Sequence, residues 1–218
     1  MRFTHLGHAC LLVETGGTSV LIDPGSFSDF DDVTGLDAVL VTHQHADHLD
    51  RERIRALLDA NPDARLRTDP GSAEQLQADG VEATVTVPGE PFTVGDLEVT
   101  PVGELHAVNH QWVPRVPNVG LLLEADGVRL FHPGDALDAD PGRVDYLGVP
   151  VNAPWCAIRE TLDFVRRIEP TRAIVPIHDA LLAEQGRAMY LQHLGDFGLE
   201  GGVEVLDGAD RQPRELSG

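Results

Sequence analysis

Three histidines and an aspartate lie within six residues of this chain, in the sequence HQHADH at positions 43–48. They directly follow DAVLVT at 37–42, whose apolar and β-branched residues predict a buried strand. Residues two apart on an extended backbone point to the same side, so His43 and His45 can bind one metal ion together. Asp47 and His48 follow where the chain turns, and they can face a second ion. Imidazole and carboxylate groups are the usual protein ligands of zinc and related divalent ions.

A structural role for this whole run is hard to reconcile with the energetics of burial. A single histidine is usually structural, but several titratable rings buried without partners cost several kcal/mol. The run therefore predicts a metal centre at the end of a buried strand.

Short apolar runs separated by turn residues predict the rest of the secondary structure. Strands are predicted at 2–6, 9–15, 18–23, 37–42, 64–68, 81–87, 90–94, 97–102, 118–125, 128–132, 144–150 and 173–177, and helices at 51–60, 72–78, 158–168 and 179–194. Hairpins come first, and single strands then alternate with helices. This order predicts an α/β fold, an αββα sandwich of two mixed β-sheets with helices outside, formed by residues 1–218 as a single domain.

Three local expectations concern capping, the tail and a loop. Asp50 is placed to cap the helix at 51–60, and the polar tail after Gly201 is expected to fray. Residues 105–117 lack periodicity and contain two prolines, which predicts a substrate-facing loop. Within it, Trp112 could provide a flat wall and Arg115 a fork for a carboxylate or phosphate, although both could equally be ordinary loop residues.

The protein has a formal net charge of −20, and all 16 of its basic residues are arginine. An acidic surface repels phosphate backbones, and no basic run of the kind that binds nucleic acid is present. The sequence also shows no signal-peptide pattern and no apolar run near the roughly 20 residues of a membrane span. Cys10 and Cys156 are expected to be buried, reduced thiols. We therefore expect a cytoplasmic protein that acts on a small molecule and binds neither nucleic acid nor membrane; homo-oligomer formation is left open.

The motif after the buried strand resembles the signature of the metallo-β-lactamase superfamily. Two early segments, Leu6-Gly7-His8-Ala9 and Val20-Leu21-Ile22-Asp23-Pro24, look like the opening strands of the branch that includes ascorbate-phosphate lactonase. Phe131-His132-Pro133-Gly134-Asp135 and Val175-Pro176-Ile177-His178 are similar to later ligand segments of that branch. The resemblance covers nearly the whole chain and implies the αββα fold and a metal-dependent hydrolase.

The resemblance also implies a ligand set. The first ion would be bound by His43, His45 and His106, the second by Asp47, His48 and His178, and both by Asp135. His110 lies four residues after His106 and could replace it.

Several other residues near these motifs carry weaker predictions. Pro-Gly-Asp is also common turn chemistry, so Asp135 alone would indicate little. Ala136 stands where the related branch usually has threonine. His8, Asp23, His132 and Asp179 are candidates to support the ligands, because metal-bound histidines usually donate their other N–H to a carboxylate or carbonyl.

Hydrolysis is the predicted chemistry. Two divalent ions about 3.5–4 Å apart would share a hydroxide and lower its pKa to about 7, for attack on a carbonyl or phosphoryl centre. Asp47 would be catalytic, orienting the nucleophile or moving its proton. A positive pocket in an acidic protein favours a small anionic or carbonyl-rich substrate, such as a lactone or phosphodiester. Zinc is the expected metal, with manganese and iron as alternatives. An iron-dependent persulfide-type oxidoreductase and a metal-dependent nuclease are the alternative functions.

Overall fold

Two seven-stranded sheets form the centre of the protein in a computed structural model that describes residues 1–218. The strands of the first sheet are β1 (Arg2–His5), β2 (Leu11–Thr15), β3 (Thr18–Ile22), β4 (Ala38–Val41), β5 (Arg65–Thr68), β6 (Thr84–Val85) and β14 (Arg214–Glu215). Those of the second are β7 (Phe92–Val94), β8 (Leu97–Val102), β9 (Gly120–Ala125), β10 (Val128–His132), β11 (Tyr146–Pro150), β12 (Ala173–Ile177) and β13 (Glu204–Val205). The helices are α1 (Ile54–Ala60), α2 (Pro70–Ala78), α3 (Ile158–Ile168) and α4 (Glu184–Phe197).

Strand direction brings several strand ends to one edge of each sheet. In the first sheet β2 is antiparallel to both β1 and β3, and β3, β4, β5 and β6 are parallel. In the second, β9 is antiparallel to β8 and β10, and β10 to β13 are parallel. The carboxyl ends of β1, β3 and β4 therefore share one edge, as do those of β8, β10, β11 and β12.

Alternating side chains explain why helices cover both sheets. In β3, Val20 and Ile22 belong to the apolar cluster between the sheets, whereas Leu21 packs with residues of α1 and α2. In β10, Leu130 faces the other sheet, and Phe131 packs with residues of α3 and α4. Strands apolar on both faces need a covering layer on each. The predicted αββα sandwich of mixed sheets is confirmed.

Several predicted boundaries are wrong. The helix predicted from residue 51 begins at Ile54, because Asp50 instead caps a preceding turn by accepting from the backbone N–H groups of Glu52 and Arg53. The last predicted helix begins at Glu184 rather than at 179 and extends to Phe197. The strand predicted at 81–87 is reduced to Thr84–Val85 at the edge of its sheet.

The prediction that the tail frays is also wrong. Residues Arg214–Glu215 pair antiparallel with β1, and Leu216 is buried in the cluster between the sheets. A pairing between the two ends of the chain gives no local signal in the sequence. None of the helices combines the length and apolar character that crossing a membrane requires.

A buried carboxylate begins α2. Asp69 accepts hydrogen bonds from the backbone N–H groups of Gly71, at 2.8 Å, and Ser72, at 3.2 Å. Its side chain is fully buried, and burial raises the pKa of Asp69 to about 6 even though these hydrogen bonds favour the charged form. The ionised carboxylate therefore lowers stability at neutral pH.

We expect Asp69→Asn to raise the free energy of unfolding at pH 8 by about 1–3 kcal/mol, because asparagine keeps the cap without the charge. The native pKa of Asp69 exceeds the unfolded value of about 3.9. The neutral carboxyl group therefore stabilises the wild-type protein in full below pH 4, and this stabilisation is lost as the pH rises through 6. Urea unfolding at pH 8 measures the difference. Asp69→Ala removes charge and cap together, and it should be less stable than Asp69→Asn by about 1 kcal/mol. A destabilised Asp69→Asn protein would contradict this account.

Candidate metal centre

All seven predicted ligand residues lie together where strands of the two sheets end. Four follow β4, and the others follow β8, β10 and β12. They are His43, His45, Asp47, His48, His106, Asp135 and His178. Only His45 and Asp47 are partly exposed, and the other five are buried.

The carboxylate of Asp135 is at the middle of this cluster. Its Oδ1 lies 3.0 Å from Nε2 of His48, and its Oδ2 lies 3.1 Å from Nε2 of His178. Oδ2 is also 3.3 Å from Nε2 of His106 and 3.8 Å from Nε2 of His43. One carboxylate thus faces imidazoles that come from both sheets.

The potential ligand atoms form two groups, within each of which all atoms lie within 4.8 Å of one another. The first group is His43, His45, His106 and Asp135. The second is His8, Asp47, His48 and His178. Each group has the mixture of imidazole and carboxylate that suits a divalent transition metal.

Two histidines of the β4 motif are oriented by neighbouring oxygens. Nδ1 of His48 lies 2.7 Å from a carboxylate oxygen of Asp23, so it carries the proton and donates to that oxygen. Nδ1 of His43 lies 3.1 Å from the hydroxyl of Thr42, which itself donates to Asp23 at 2.7 Å and can accept from the ring. In both rings the Nε2 lone pair is therefore directed into the cluster.

Backbone carbonyls orient the two histidines of the second sheet in the same way. Nδ1 of His106 donates to the carbonyl oxygen of Ala107 at 2.7 Å, and Nδ1 of His178 donates to that of Asn152 at 2.7 Å. Both rings therefore also direct Nε2 toward Asp135. Metal-binding histidines commonly have such a partner on the other ring nitrogen.

Burial and mutual electrostatics shift the titration of the cluster. Burial lowers the pKa of His43 well below its ordinary value, and His48 adds to this effect. Burial opposes ionisation of Asp135, but His48 and His178 outweigh it and hold the pKa of Asp135 well below its usual range. Burial lowers the pKa of His178, but Asp135 more than compensates and raises it to about 9. A neutral His43 and an ionised Asp135 are the forms that bind cations.

His8 is not one of the seven predicted ligand residues, but its side chain contacts Asp47. The backbone N–H of Ala180 donates to Nδ1 of His8 at 3.3 Å, so the proton must be on Nε2. That Nε2 lies 3.1 Å from Oδ2 of Asp47 and donates to it. A protonated Nε2 has no lone pair for a metal ion, so this geometry makes His8 a support for Asp47 rather than a ligand.

Three residues at the cluster have left-handed backbone conformations, with φ of +54° at His8, +48° at Asp23 and +60° at His178. Such conformations cost non-glycine residues roughly 1–3 kcal/mol each and are concentrated at functional sites.

Close backbone approach near the motif requires a glycine. A Cβ atom at Gly25 would lie 1.8 Å from the carbonyl oxygen of Asp47 and 2.5 Å from the nitrogen of His48. Any larger residue at this position would displace the segment that bears both side chains.

The structure shows where the alternative ligands His106 and His110 lie, and where the loop residues Trp112 and Arg115 lie. His106 lies in the cluster, whereas His110 is exposed in the loop and interacts with Trp112. The side chain of Trp112 is 82% exposed and forms no wall of the site, so that expectation is wrong. Arg115 lies closer to the cluster, and its Nε donates to the carbonyl oxygen of His106 at 2.7 Å.

The other predicted supporting residues divide into two pairs. His8 and Asp23 contact ligand side chains directly, as described above. His132 instead pairs with the backbone, since its Nδ1 accepts from Gly134 N–H and its Nε2 donates to the carbonyl of Ala9. Asp179 pairs with Arg187 at 2.7 Å rather than with a ligand side chain. Cys156 is only partly buried, contrary to expectation, and both cysteines are free thiols.

Trp155 is a residue of the site that sequence analysis missed. Its indole Nε1–H donates to Oδ2 of Asp135 at 3.1 Å, and its ring meets those of His106 and His178 edge-on. A tryptophan twenty residues from its partner, in an irregular segment, gives no periodic signal.

Comparison with known proteins identifies the family of the chain. The chain matches the family described as Beta-lactamase superfamily domain over residues 2–178. Protein Rv0786c of Mycobacterium tuberculosis is 44% identical over 197 residues, covering 89% of this chain and 91% of that protein. A UPF0173 metal-dependent hydrolase of Methanoculleus marisnigri is 31% identical over 199 residues, covering 82% of this chain and 80% of that protein.

The fold is also found in a solved structure, isothiocyanate hydrolase from Delia radicum gut bacteria. The TM-score is 0.74, with 20% identity and complete coverage of both chains (100%). At this identity the likeness concerns the fold alone. The family match and the relatives together establish that the chain belongs to the beta-lactamase superfamily and to its UPF0173 metal-dependent hydrolases.

Proposed function

We propose that this chain is a hydrolase of small carbonyl or phosphoryl substrates and that seven residues bind two divalent ions. The ligands of the first ion are His43, His45 and His106, those of the second are Asp47, His48 and His178, and Asp135 is shared. Zinc is the proposed metal, with manganese and iron as the alternatives that metal analysis distinguishes.

The observation that carries this proposal is a set of buried polar atoms without hydrogen-bond partners. They are Nε2 of His48, Nε2 of His178 and Oδ1 of Asp135, because the 3.0 and 3.1 Å approaches between the rings and the carboxylate do not have the alignment of hydrogen bonds. An unsatisfied buried polar group costs about 1–3 kcal/mol, and such atoms at a functional site call for an explanation. All three point into the same cluster, so cations bound there would satisfy them together. The donor set therefore fits the metal-dependent chemistry of the family.

When bound, two divalent ions lower the pKa of a water molecule to about 7 and polarise the substrate oxygen. The contribution of this chain is to hold the ligands in place and to orient the attacking water. Asp47 suits the second task, because its side chain remains 23% exposed while His8 donates to one of its oxygens. Burial opposes its ionisation, but hydrogen bonds from His178 and His8 hold the pKa of Asp47 well below its usual range, so it would act as an ionised acceptor that orients the water.

The substrate class rests on sequence and charge. Segments around His8, Asp23, Asp135 and His178 resemble the lactonase branch of the superfamily, which favours a lactone or a phosphodiester as the reacting group. A protein of net charge −20 repels nucleic acid, which disfavours the nuclease alternative.

We expect the purified, metal-reconstituted protein to contain about two divalent ions per chain and to hydrolyse lactones or phosphodiesters. Asp135→Ala should lose both ions and reduce hydrolysis to background, because this carboxylate faces both groups. Inductively coupled plasma mass spectrometry and a hydrolysis assay measure the two effects.

Asp59→Ala on the exposed surface of α1 is the matched control and should retain metal and activity. Full activity in metal-free protein would refute the proposal. A content dominated by iron, together with oxygen consumption, would instead support the redox alternative.

A second prediction tests the role of His8. His8→Leu removes the N–H that holds Asp47 and should weaken binding of one metal equivalent by about 10–100-fold, the usual effect of losing a residue that supports a ligand. His8→Gln offers an amide N–H in a similar position and should recover most of that affinity. Competition with a chromophoric chelator gives the dissociation constants.

Both variants place a non-glycine residue at the same positive φ, so backbone strain cancels in the comparison. If His8 were itself a ligand, glutamine would not restore the affinity. Unchanged binding in both variants would show that the contact with Asp47 has no effect on the metal centre.

A further inference from the structure

A cleft of about 410 Å³ opens beside the metal centre. Its volume lies within the range of roughly 300–1,000 Å³ typical of small-molecule sites. Half of its ten lining residues are apolar, including Val108, Leu137, Trp155 and Phe164. These side chains come from three separate parts of the chain.

Three lining residues connect the cleft to the ligands. Trp155 donates its indole N–H to Asp135 at 3.1 Å. The backbone N–H of Ala107 donates to the carbonyl oxygen of Asp135 at 2.7 Å, and Arg115 donates to that of His106 at 2.7 Å. A group bound in the cleft would therefore lie next to a substrate centre at Asp135.

The charged residues of the cleft do not form an anion site. Both guanidinium groups already donate to backbone carbonyls, Arg115 to His106 and Arg167 to Ala139 at 3.1 Å. Three carboxylates, those of Asp138, Glu160 and Asp163, outnumber these two cations. An anionic substituent would thus meet net negative charge.

Exposed apolar side chains also flank the centre. Leu105 and Val108, which lie on either side of His106, are 43% and 54% exposed. Leu181, 53% exposed, follows the residue whose N–H binds His8, and the ring of Phe27, 49% exposed, lies 5.3 Å from the His8 ring. Apolar side chains gathered at a polar site indicate a binding surface for apolar groups.

We propose that this cleft binds an uncharged apolar substituent of the substrate, an acyl chain or an aryl ring adjacent to the hydrolysed bond. The identity of the hydrolysed bond rests on the function proposed above, whereas binding of the substituent is inferred from the residues that line the cleft. The cleft thus favours a neutral, apolar substituent on the substrate, whereas the reacting group remains the lactone or phosphodiester proposed above.

Binding can be measured without catalysis. The chain has two tryptophans, and Trp112→Phe leaves Trp155 as the only indole, in the wall of the cleft. The probes titrated into the metal-loaded Trp112→Phe protein are acetamide, butanamide and hexanamide. They share one head group and differ only in chain length. We expect affinity, read from Trp155 fluorescence, to rise about two- to fourfold with each added CH₂, as partial to full burial of a methylene predicts.

Two loop variants localise the effect. Val108→Asp places a carboxylate in the cleft wall and should remove the dependence on chain length. Val113→Asp is the matched control, because Val113 is similarly exposed at 48% but does not line the cleft. Affinity independent of chain length, or an equal loss in both variants, would overturn the proposal.

Hydrolysis provides a second and separate readout. For γ-lactones with hydrogen, ethyl or butyl on the ring, KM should fall along the series in wild-type protein and remain flat in Val108→Asp. If the amides bind with the expected length dependence but no lactone, ester or phosphodiester is hydrolysed, the cleft assignment stands and the proposed hydrolase function fails. If lactones are hydrolysed with no dependence on the substituent, the function stands and the cleft assignment fails.

Discussion

The buried carboxylate of Asp135 is the constraint on which the rest of the site depends. An isolated carboxylate with almost no exposure would bear a large desolvation cost, and a protein normally avoids that cost by neutralising the group. Here the indole of Trp155 and the surrounding imidazoles favour the ionised form. Burial lowers the pKa values of His48 and His178, but Asp135 more than compensates and raises both, so these rings carry the positive charge that offsets the carboxylate. Divalent cations at the proposed site would take over this role from the protons of the two rings.

The two sheets deliver these groups because of the direction of their strands. Ligands at the carboxyl ends of parallel strands meet at one edge, and the face-to-face packing of the sheets brings the two edges together. Orientation is then set locally for His43 and His106, whose Nδ1 partners are the neighbouring residues Thr42 and Ala107. For His48 the partner is Asp23, on the adjacent strand end, so its orientation depends on correct pairing of β3 with β4.

The sequence separation between contacting residues explains which features the sequence could predict. The strands, the αββα order and the β4 motif all have local signals, either alternation of apolar residues or ligand spacing within six positions. His8 is predicted as a candidate to support the ligands, but its partners have no local signal, because Asp47 is 39 residues away and Ala180 is 172 residues away. Trp155 lies in a segment without periodicity, whereas Trp112 had the more suggestive context and is at the surface. Pairing of the tail with β1 likewise joins the two ends of the chain.

Trp155 connects the buried carboxylate of Asp135 with the apolar cleft. Trp155 donates to Asp135 with its N–H edge and lines the apolar cleft with its ring. A substituent that packs against the indole would also exclude water from the hydrogen bond to Asp135, and hydrogen bonds to ions strengthen as the local dielectric falls. Apolar binding energy would then reinforce the position of Asp135, the carboxylate proposed above as a ligand of both ions. Because the guanidinium groups of the cleft donate to the protein's own backbone, the proposed coupling would select substrates with neutral substituents by shape and hydrophobicity.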